Sequence, residues 1–340
     1  MPKLIPCPSC GAAMANAEEC STCHFRPSEI ACFSDQAALQ VWKTVYVPPR
    51  PSAEKLLFPG TQKLAVLDPR SHILTLYNQF ERERVLQNVR HFSLRDSHWA
   101  AAFLDGHAEA AGDNSFQQCA VDGLTGVTHV HTMANATCLI ADGRVTVRGY
   151  SPFENAVNGW TDMVQLASGT SHIAGLRRDG TVLIAAAPDA PQDMRQQPAL
   201  SEANGVRTCA APPAWRNVIA IESGETYLLG LTKDGRVLTL GTVNDQPLQL
   251  NWTEKIVSIA AARDYALGLT ASGTLLVTGK ARSRFGAKLD ADTQGWSRLT
   301  AIGADASVAA GVDSDGNLLL AGKPAYRSLP DAPCWVRPNN

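Results

Sequence analysis

Residues 168–186 read SGTSHIAGLRRDGTVLIAA, and the order of residue types in that stretch decides the fold. An apolar run, the pair Asp179-Gly180 and a second apolar run describe a hairpin, because Gly supplies the positive φ that a tight turn requires. The same unit recurs as AAFLDGHAEAAG, CLIADGRVTVRG, LGLTKDGRVLTLG, LGLTASGTLLVTG and AGVDSDGNLLLAG. Their turns fall at Asp105-Gly106, Asp142-Gly143, Asp234-Gly235, Ser272-Gly273 and Asp315-Gly316. The turns at Asp105, Asp142 and Asp179 are 37 residues apart, and one more step back lands on Asp68 in LAVLDPRSHILTLY, a seventh unit that has lost its Gly.

A further β-rich run precedes each Gly-bearing turn: VRHFSL, VTHVHTM, MVQLAS, VIAIES, IVSIAA and LTAIGA. Each unit therefore offers three short strands and room for a fourth, which is the content of one propeller blade. Period-two alternation and recurrent Gly disfavour a helical solenoid. The expected fold is all-β, a seven-bladed β-propeller. At 340 residues, with 45% apolar and 18% charged side chains, the chain has enough core for a closed ring. A net charge of -2 supplies no global field for nucleic acid or anionic lipid. Apolar stretches are too short to span a membrane, and no signal-like run follows Lys3, so the chain reads as cytoplasmic.

The composite unit Val-x-x-Ile-x-x-Gly-x-x-His-x-x-x-Leu-x-x-Asp-Gly-x-Val-x-x-x-Gly resembles the regulator of chromosome condensation family of β-propellers. Its short spacing is similar to that of the compact bacterial seven-bladed propeller that inhibits β-lactamases. The resemblance covers about residues 55–325 and implies a propeller whose relatives include guanine-nucleotide exchange factors and protein inhibitors. Family members often carry His seven residues before the turn; here that position holds Thr61, His98, Asn135, His172, Tyr227, Tyr265 and Val308. Recurrence once per blade argues for a repeated structural hydrogen bond rather than a ligand site. Trp160, Trp215, Trp252 and Trp296 read as blade-packing groups, and Cys119, Cys138, Cys209 and Cys334 as apolar fillers.

Ahead of the repeats, Cys7-Pro-Ser-Cys10 and Cys20-Ser-Thr-Cys23 form two Cys-x-x-Cys knuckles. Four thiolates close a tetrahedral shell around one Zn2+ and leave no open position, so the metal has a structural role. A segment this short folds only through the metal. The pattern resembles the short zinc ribbons at the start of many bacterial proteins, except that His24 stands where Gly often follows. Cys20-Ser-Thr-Cys23-His24 also spells a c-type haem attachment motif, which needs an oxidising compartment.

The expected organisation is a zinc ribbon over 1–30, a linker with a short helix over 31–54, the propeller over 55–325 and a tail over 326–340. The turns at Asp179 and Asp234 are 55 apart, so the Pro- and Gln-rich stretch 188–213 interrupts the repeat, as either a functional or a disordered loop. Three loops carry candidate partner contacts. GDNSFQQ and GYSPFENAVNGW place Phe116, Tyr150 and Phe153 in equivalent loops of neighbouring blades, as aromatic anchors for a protein. KARSRFGAK sets Arg282 and Arg284 beside Phe285, a combination able to meet phosphate and base. No GxSxG, GxxxxGK or HExxH pattern occurs. The leading functional class is a non-catalytic protein-binding scaffold. A GTPase exchange regulator, or a subunit that recognises nucleic acid through the ribbon, is the alternative.

Overall fold

The computed structural model describes residues 5–6, 13–14 and 56–322, apart from 61, 70, 79–81, 96, 280–288, 307 and 315–316. From residue 57 onward, the repeats fold as seven antiparallel sheets, the blades of a β-propeller. Blade 1 comprises Leu57–Pro59, Leu64–Asp68, Ile73–Tyr77 and Arg82–Leu86. Blade 2 is Val89–Leu94, His98–Phe103 and Ala108–Gly112, and blade 3 is Val127–Thr132, Ala136–Ala141 and Arg144–Gly149. Blade 4 begins Met163–Ser168, His172–Arg177 and Val182–Ala186, and blade 5 is Val218–Ser223, Tyr227–Thr232, Val237–Val243 and Gln246–Pro247. Blade 6 is Ile256–Ala261, Tyr265–Thr270 and Leu275–Gly279; blade 7 is Leu299–Asp305, Val308–Asp313 and Leu318–Gly322.

The first strand of every blade is innermost and packs on its counterparts in the adjoining blades, and Leu299–Asp305 packs on Leu57–Pro59. That contact closes the ring. Leu57, Leu64, Val66 and Tyr77 bury against Ala301, Val308, Ala310 and Val312, so the closing seam is apolar like the others. Gly303 permits the approach, since a Cβ there would lie 2.7 Å from the Leu57 carbonyl. Among the described residues every blade is one continuous stretch of chain, and no strand from one end of the repeats completes the blade at the other.

The Asp-Gly signal produces two turn geometries. Asp142 and Gly143 both have positive φ, 50° and 75°, as a two-residue turn demands. At Gly106, Gly180, Gly235 and Gly273 only the glycine is left-handed, with φ between 80° and 89°. There the Gly N–H closes a turn and a wider pair follows, as when Gly180 donates to Arg177 O at 2.9 Å and Arg177 to Thr181 O at 2.8 Å. The Asp side chain braces the bulge: Asp179 Oδ1 accepts from Thr181 N–H at 2.9 Å.

These glycines also join the blades. Gly106, Gly143, Gly235 and Gly273 each accept, through the carbonyl, the first N–H of the next inner strand at 2.9 Å, and Gly180 does so at 3.2 Å. A second glycine, in the middle strand, receives the repeat's tryptophan. A Cβ would lie 2.7 Å from the Trp160 ring at Gly175, 2.7 Å from Trp215 at Gly230, 2.8 Å from Trp252 at Gly268 and 3.1 Å from Trp296 at Gly311.

The stretch 188–213 is neither disordered nor a simple loop. It forms a helix at Gln192–Arg195 and a hairpin of Ala199–Ala203 and Val206–Ala210, and Val206–Ala210 pairs with Val182–Ala186, giving blade 4 five strands. Met194 is buried, and Asp193 Oδ2 accepts from Gly241 N–H of blade 5 at 2.7 Å, so the insertion is fastened across the seam. Near the N-terminus Ile5–Pro6 pairs antiparallel with Ala13–Met14. The zinc ligands expected from the sequence, Cys7, Cys10, Cys20 and Cys23, lie outside the described residues, as do Thr61, the linker, the Asp315-Gly316 turn, Cys334 and the tail. No helix among the described residues is long and apolar enough to cross a membrane.

Candidate functional site

The outer strands of blades 2 and 3 end at Gly112 and Gly149, both with positive φ. Asp113 N–H then donates to Ser97 O at 2.9 Å and Tyr150 N–H to Asn135 O at 2.8 Å, so the two following segments leave from the same face in the same way. The segment after Gly112 is locked by its own polar side chains. Ser115 N–H donates to Asp113 Oδ1 at 3.0 Å, Phe116 N–H to Gln118 Oε1 at 2.8 Å, and Cys119 N–H to Asn114 Oδ1 at 2.9 Å. The Ser115 hydroxyl and backbone N–H hold the Asp113 carboxyl below the usual carboxylate range. Gln118 is fully buried against blade 3, where a Cβ on Gly149 would come 3.0 Å from its Cβ. Arg148 Nε also reaches back from blade 3 to Ala120 O at 3.0 Å.

This arrangement fixes Phe116 beside Tyr150, with ring centroids 6.4 Å apart and planes at 38°. Phe116 is 49% exposed and Tyr150 66%, so two aromatic rings from neighbouring loops stand together in solvent. Phe153 is a correction to the sequence-based set. It is 1% exposed and packs with Val157, Trp160, Met163 and Ile173 at the blade 3–4 seam, where no surface partner can touch it. Its burial follows from the one-turn helix Glu154–Val157, which turns that side of the loop inward. Arg282, Arg284 and Phe285 lie outside the described residues.

The once-per-blade polar position joins neighbouring blades wherever it carries a hydrogen-bonding side chain and is described within a strand. His98 Nε2 shares a hydrogen bond with Thr137 Oγ1 at 3.0 Å, and His172 Nε2 one with Ser223 Oγ at 2.7 Å. Tyr227 donates to Ala262 O at 2.9 Å and also contacts Tyr265 O, and Tyr265 donates to Asp305 O at 2.7 Å. Burial lowers His172 to about 4 and also lowers His98, so both imidazoles are neutral near neutrality. Among the described cysteines, burial pushes the Cys138 thiol up to about 12 and raises Cys119 and Cys209, which favours the protonated thiol in all three.

A second polar series, overlooked in the sequence, occupies the third position of the inner strands. His91 Nδ1 accepts from Val130 N–H at 3.4 Å, His129 Nε2 from Leu166 N–H at 3.3 Å, and Gln165 Oε1 from Ile221 N–H at 2.9 Å. Each side chain thus satisfies a backbone donor of the next blade's inner strand. The signal was the alignment of VRHFSL, VTHVHTM and MVQLAS, where a hydrogen-bonding residue recurs in register.

No protein-family model matches the chain, and no curated protein sequence does. Solved structures do. The CRINKLY WD40 ectodomain of the Arabidopsis thaliana receptor kinase ACR4 superposes with a TM-score of 0.58 at 16% identity, covering 79% of this chain and 93% of that one. The ectodomain of the Physcomitrella patens receptor kinase CR4 gives 0.54 at 14% identity, covering 78% and 72%. Yeast RCC1 (Prp20), solved bound to Kap60, gives 0.51 at 18% identity, covering 68% and 69%. The fold is therefore a β-propeller with RCC1-like similarity, and at these identities the likeness defines architecture alone.

Proposed function

We propose that this protein is a non-catalytic, cytoplasmic protein-binding scaffold whose propeller contacts its partner through Phe116 and Tyr150. The observation that carries the reading is the exposed aromatic pair, Phe116 on a loop braced by Asp113, Asn114 and Gln118 and Tyr150 at the start of the neighbouring loop. Aromatic side chains bury large areas at little entropic cost, and a loop ordered beforehand adds little folding cost to association. In this proposal the ribbon, holding one structural Zn2+ through Cys7, Cys10, Cys20 and Cys23, is a second contact on a Pro-rich tether, so the two sites together gain avidity.

The test is quantitative affinity capture with the full chain, a chain lacking residues 1–49, and the Phe116→Ala/Tyr150→Ala double variant. Loss of one stoichiometric protein from the double variant, at unchanged melting temperature, supports the interface. An identical set of captured proteins with wild type and double variant sinks it. A GTPase as the lost protein favours the exchange reading suggested by the family resemblance, and nuclease-sensitive recovery favours nucleic acid. Elemental analysis is expected to find one zinc per chain, lost in Cys20→Ser while the propeller still melts cooperatively; a zinc-free full chain refutes the metal assignment.

A further inference from the structure

Inside the ring, the His91 and His129 rings lie against each other with centroids 3.6 Å apart and planes tilted by 34°. Both are acceptors: His91 Nδ1 takes the Val130 N–H and His129 Nε2 the Leu166 N–H. An imidazole accepts only through an unprotonated nitrogen, so the geometry requires both rings neutral at those atoms. We propose that the stacked His91–His129 pair makes the two seams joining blades 2, 3 and 4 acid-labile, protonation of either ring releasing the backbone of the next inner strand.

Protonation acts twice. It turns the accepting nitrogen into a donor facing an N–H, and it sets a positive charge on the face of a second imidazole. The half-buried His91 and the buried His129 have little water to absorb either change. The other charged or titratable side chains on the inner strands, among the described residues, are Arg90, His131, Glu222 and Asp305. His98 and Asp68 stand on the strands behind blades 2 and 1, and Cys138 on the strand behind blade 3. Arg90 spends its guanidinium on Leu104 O at 3.4 Å, and His131 Nε2 shares a bond with Ser168 Oγ at 2.8 Å.

The fold contains its own control. Gln165 performs the same task one seam further on, accepting from Ile221 N–H and donating to Ile221 O, both at 2.9 Å, with a side chain that does not titrate. The experiment is amide hydrogen exchange on the full chain at about pH 7.5 and about pH 5.5, either side of the ordinary imidazole value, corrected for intrinsic rates. Protection at Val130 and Leu166 is expected to fall about tenfold relative to Ile221 on acidification. The His91→Gln/His129→Gln variant is expected to lose that difference while keeping the acid sensitivity contributed by His98 and His172. Equal pH response at Val130, Leu166 and Ile221 in the wild type overturns the proposal. Should the variant fail to fold, ring-proton NMR titration of the wild type decides: both rings titrating at or above ordinary imidazole values overturns it, and both titrating below supports it.

Discussion

Gly230→Ala isolates the tryptophan–glycine lock from every other role of glycine. Gly230 lies in the middle of Tyr227–Thr232 and has no positive φ, so an added methyl brings no backbone strain. It would lie 2.7 Å from Cζ3 and 3.0 Å from Cε3 of Trp215, which is 5% exposed and has no solvent to move into. Restoring ordinary contact of about 3.5 Å or more means shifting the indole by most of an ångström inside a close-packed seam, an overpacking of the sort that costs about 1–3 kcal/mol. Denaturant unfolding would measure the loss as a lower midpoint at unchanged slope. Gly175→Ala and Gly268→Ala, with approaches of 2.7 and 2.8 Å, should cost as much, whereas Gly311→Ala at 3.1 Å should cost least. Adding Trp215→Leu to Gly230→Ala should recover part of the loss, because the new methyl then enters space the indole has left. A cost below about 0.5 kcal/mol at Gly230, or the same cost at all four glycines, would refute the argument that the indole fixes the seam.

Gly235→Val, at φ 87° and with a Cβ 2.9 Å from Ile256 O, should destabilise by about 2 kcal/mol or more, while the exposed Asn317→Ser stays within about 0.5 kcal/mol; equal midpoints refute the distinction. Tyr227→Phe removes a buried donor from Ala262 O and should cost about 1–3 kcal/mol by the same unfolding assay, with no loss counting against the seam bond. His172, held neutral with its value lowered to about 4, contributes stability that is complete above the unfolded value of about 6.5 and is lost as pH falls towards 4. At pH 5 that loss is about 2 kcal/mol, so His172→Gln should flatten the acid limb of the stability profile by that much; an unchanged limb refutes it.

The hairpins and their number were legible because Asp-Gly marks the turns and the 37-residue step finds Asp68 where the glycine is gone. Turn geometry was not legible, since the same dipeptide serves Asp142, itself at positive φ, and Asp179, which is not. The difference lies in how many residues separate the paired ends: Ala141 pairs with Arg144 across the first turn, whereas pairing across the second ends at Leu176 and Val182. Of the aromatic candidates, Phe116 and Tyr150 were correctly placed side by side by the equivalence of their loops, but Phe153 was not. Nothing in GYSPFENAVNGW distinguishes an outward Tyr150 from an inward Phe153 until the short helix is seen to turn against Trp160 and Met163. His91 and His129 went unread although they align in register, because the acceptor role depends on a neighbour some 37 to 39 residues away, which no local pattern states.

The closing seam decides how the ring can be rebuilt. Blade 1 and blade 7 meet through Leu57, Val66, Ala301 and Val312, with Gly303 letting the strands nest, and each comes from its own end of the repeat region. The last joint is thus made of the same material as the internal joints, and the order in which blades follow one another along the chain is a convenience of synthesis rather than a demand of the circle. A gene rearranged to start at the exposed Asn204-Gly205 corner, with a short bridge joining residue 322 to residue 57, should yield the same circle from a different first residue. By the same reasoning, a chain that fails to close can offer its unsatisfied seventh blade to the first blade of another copy.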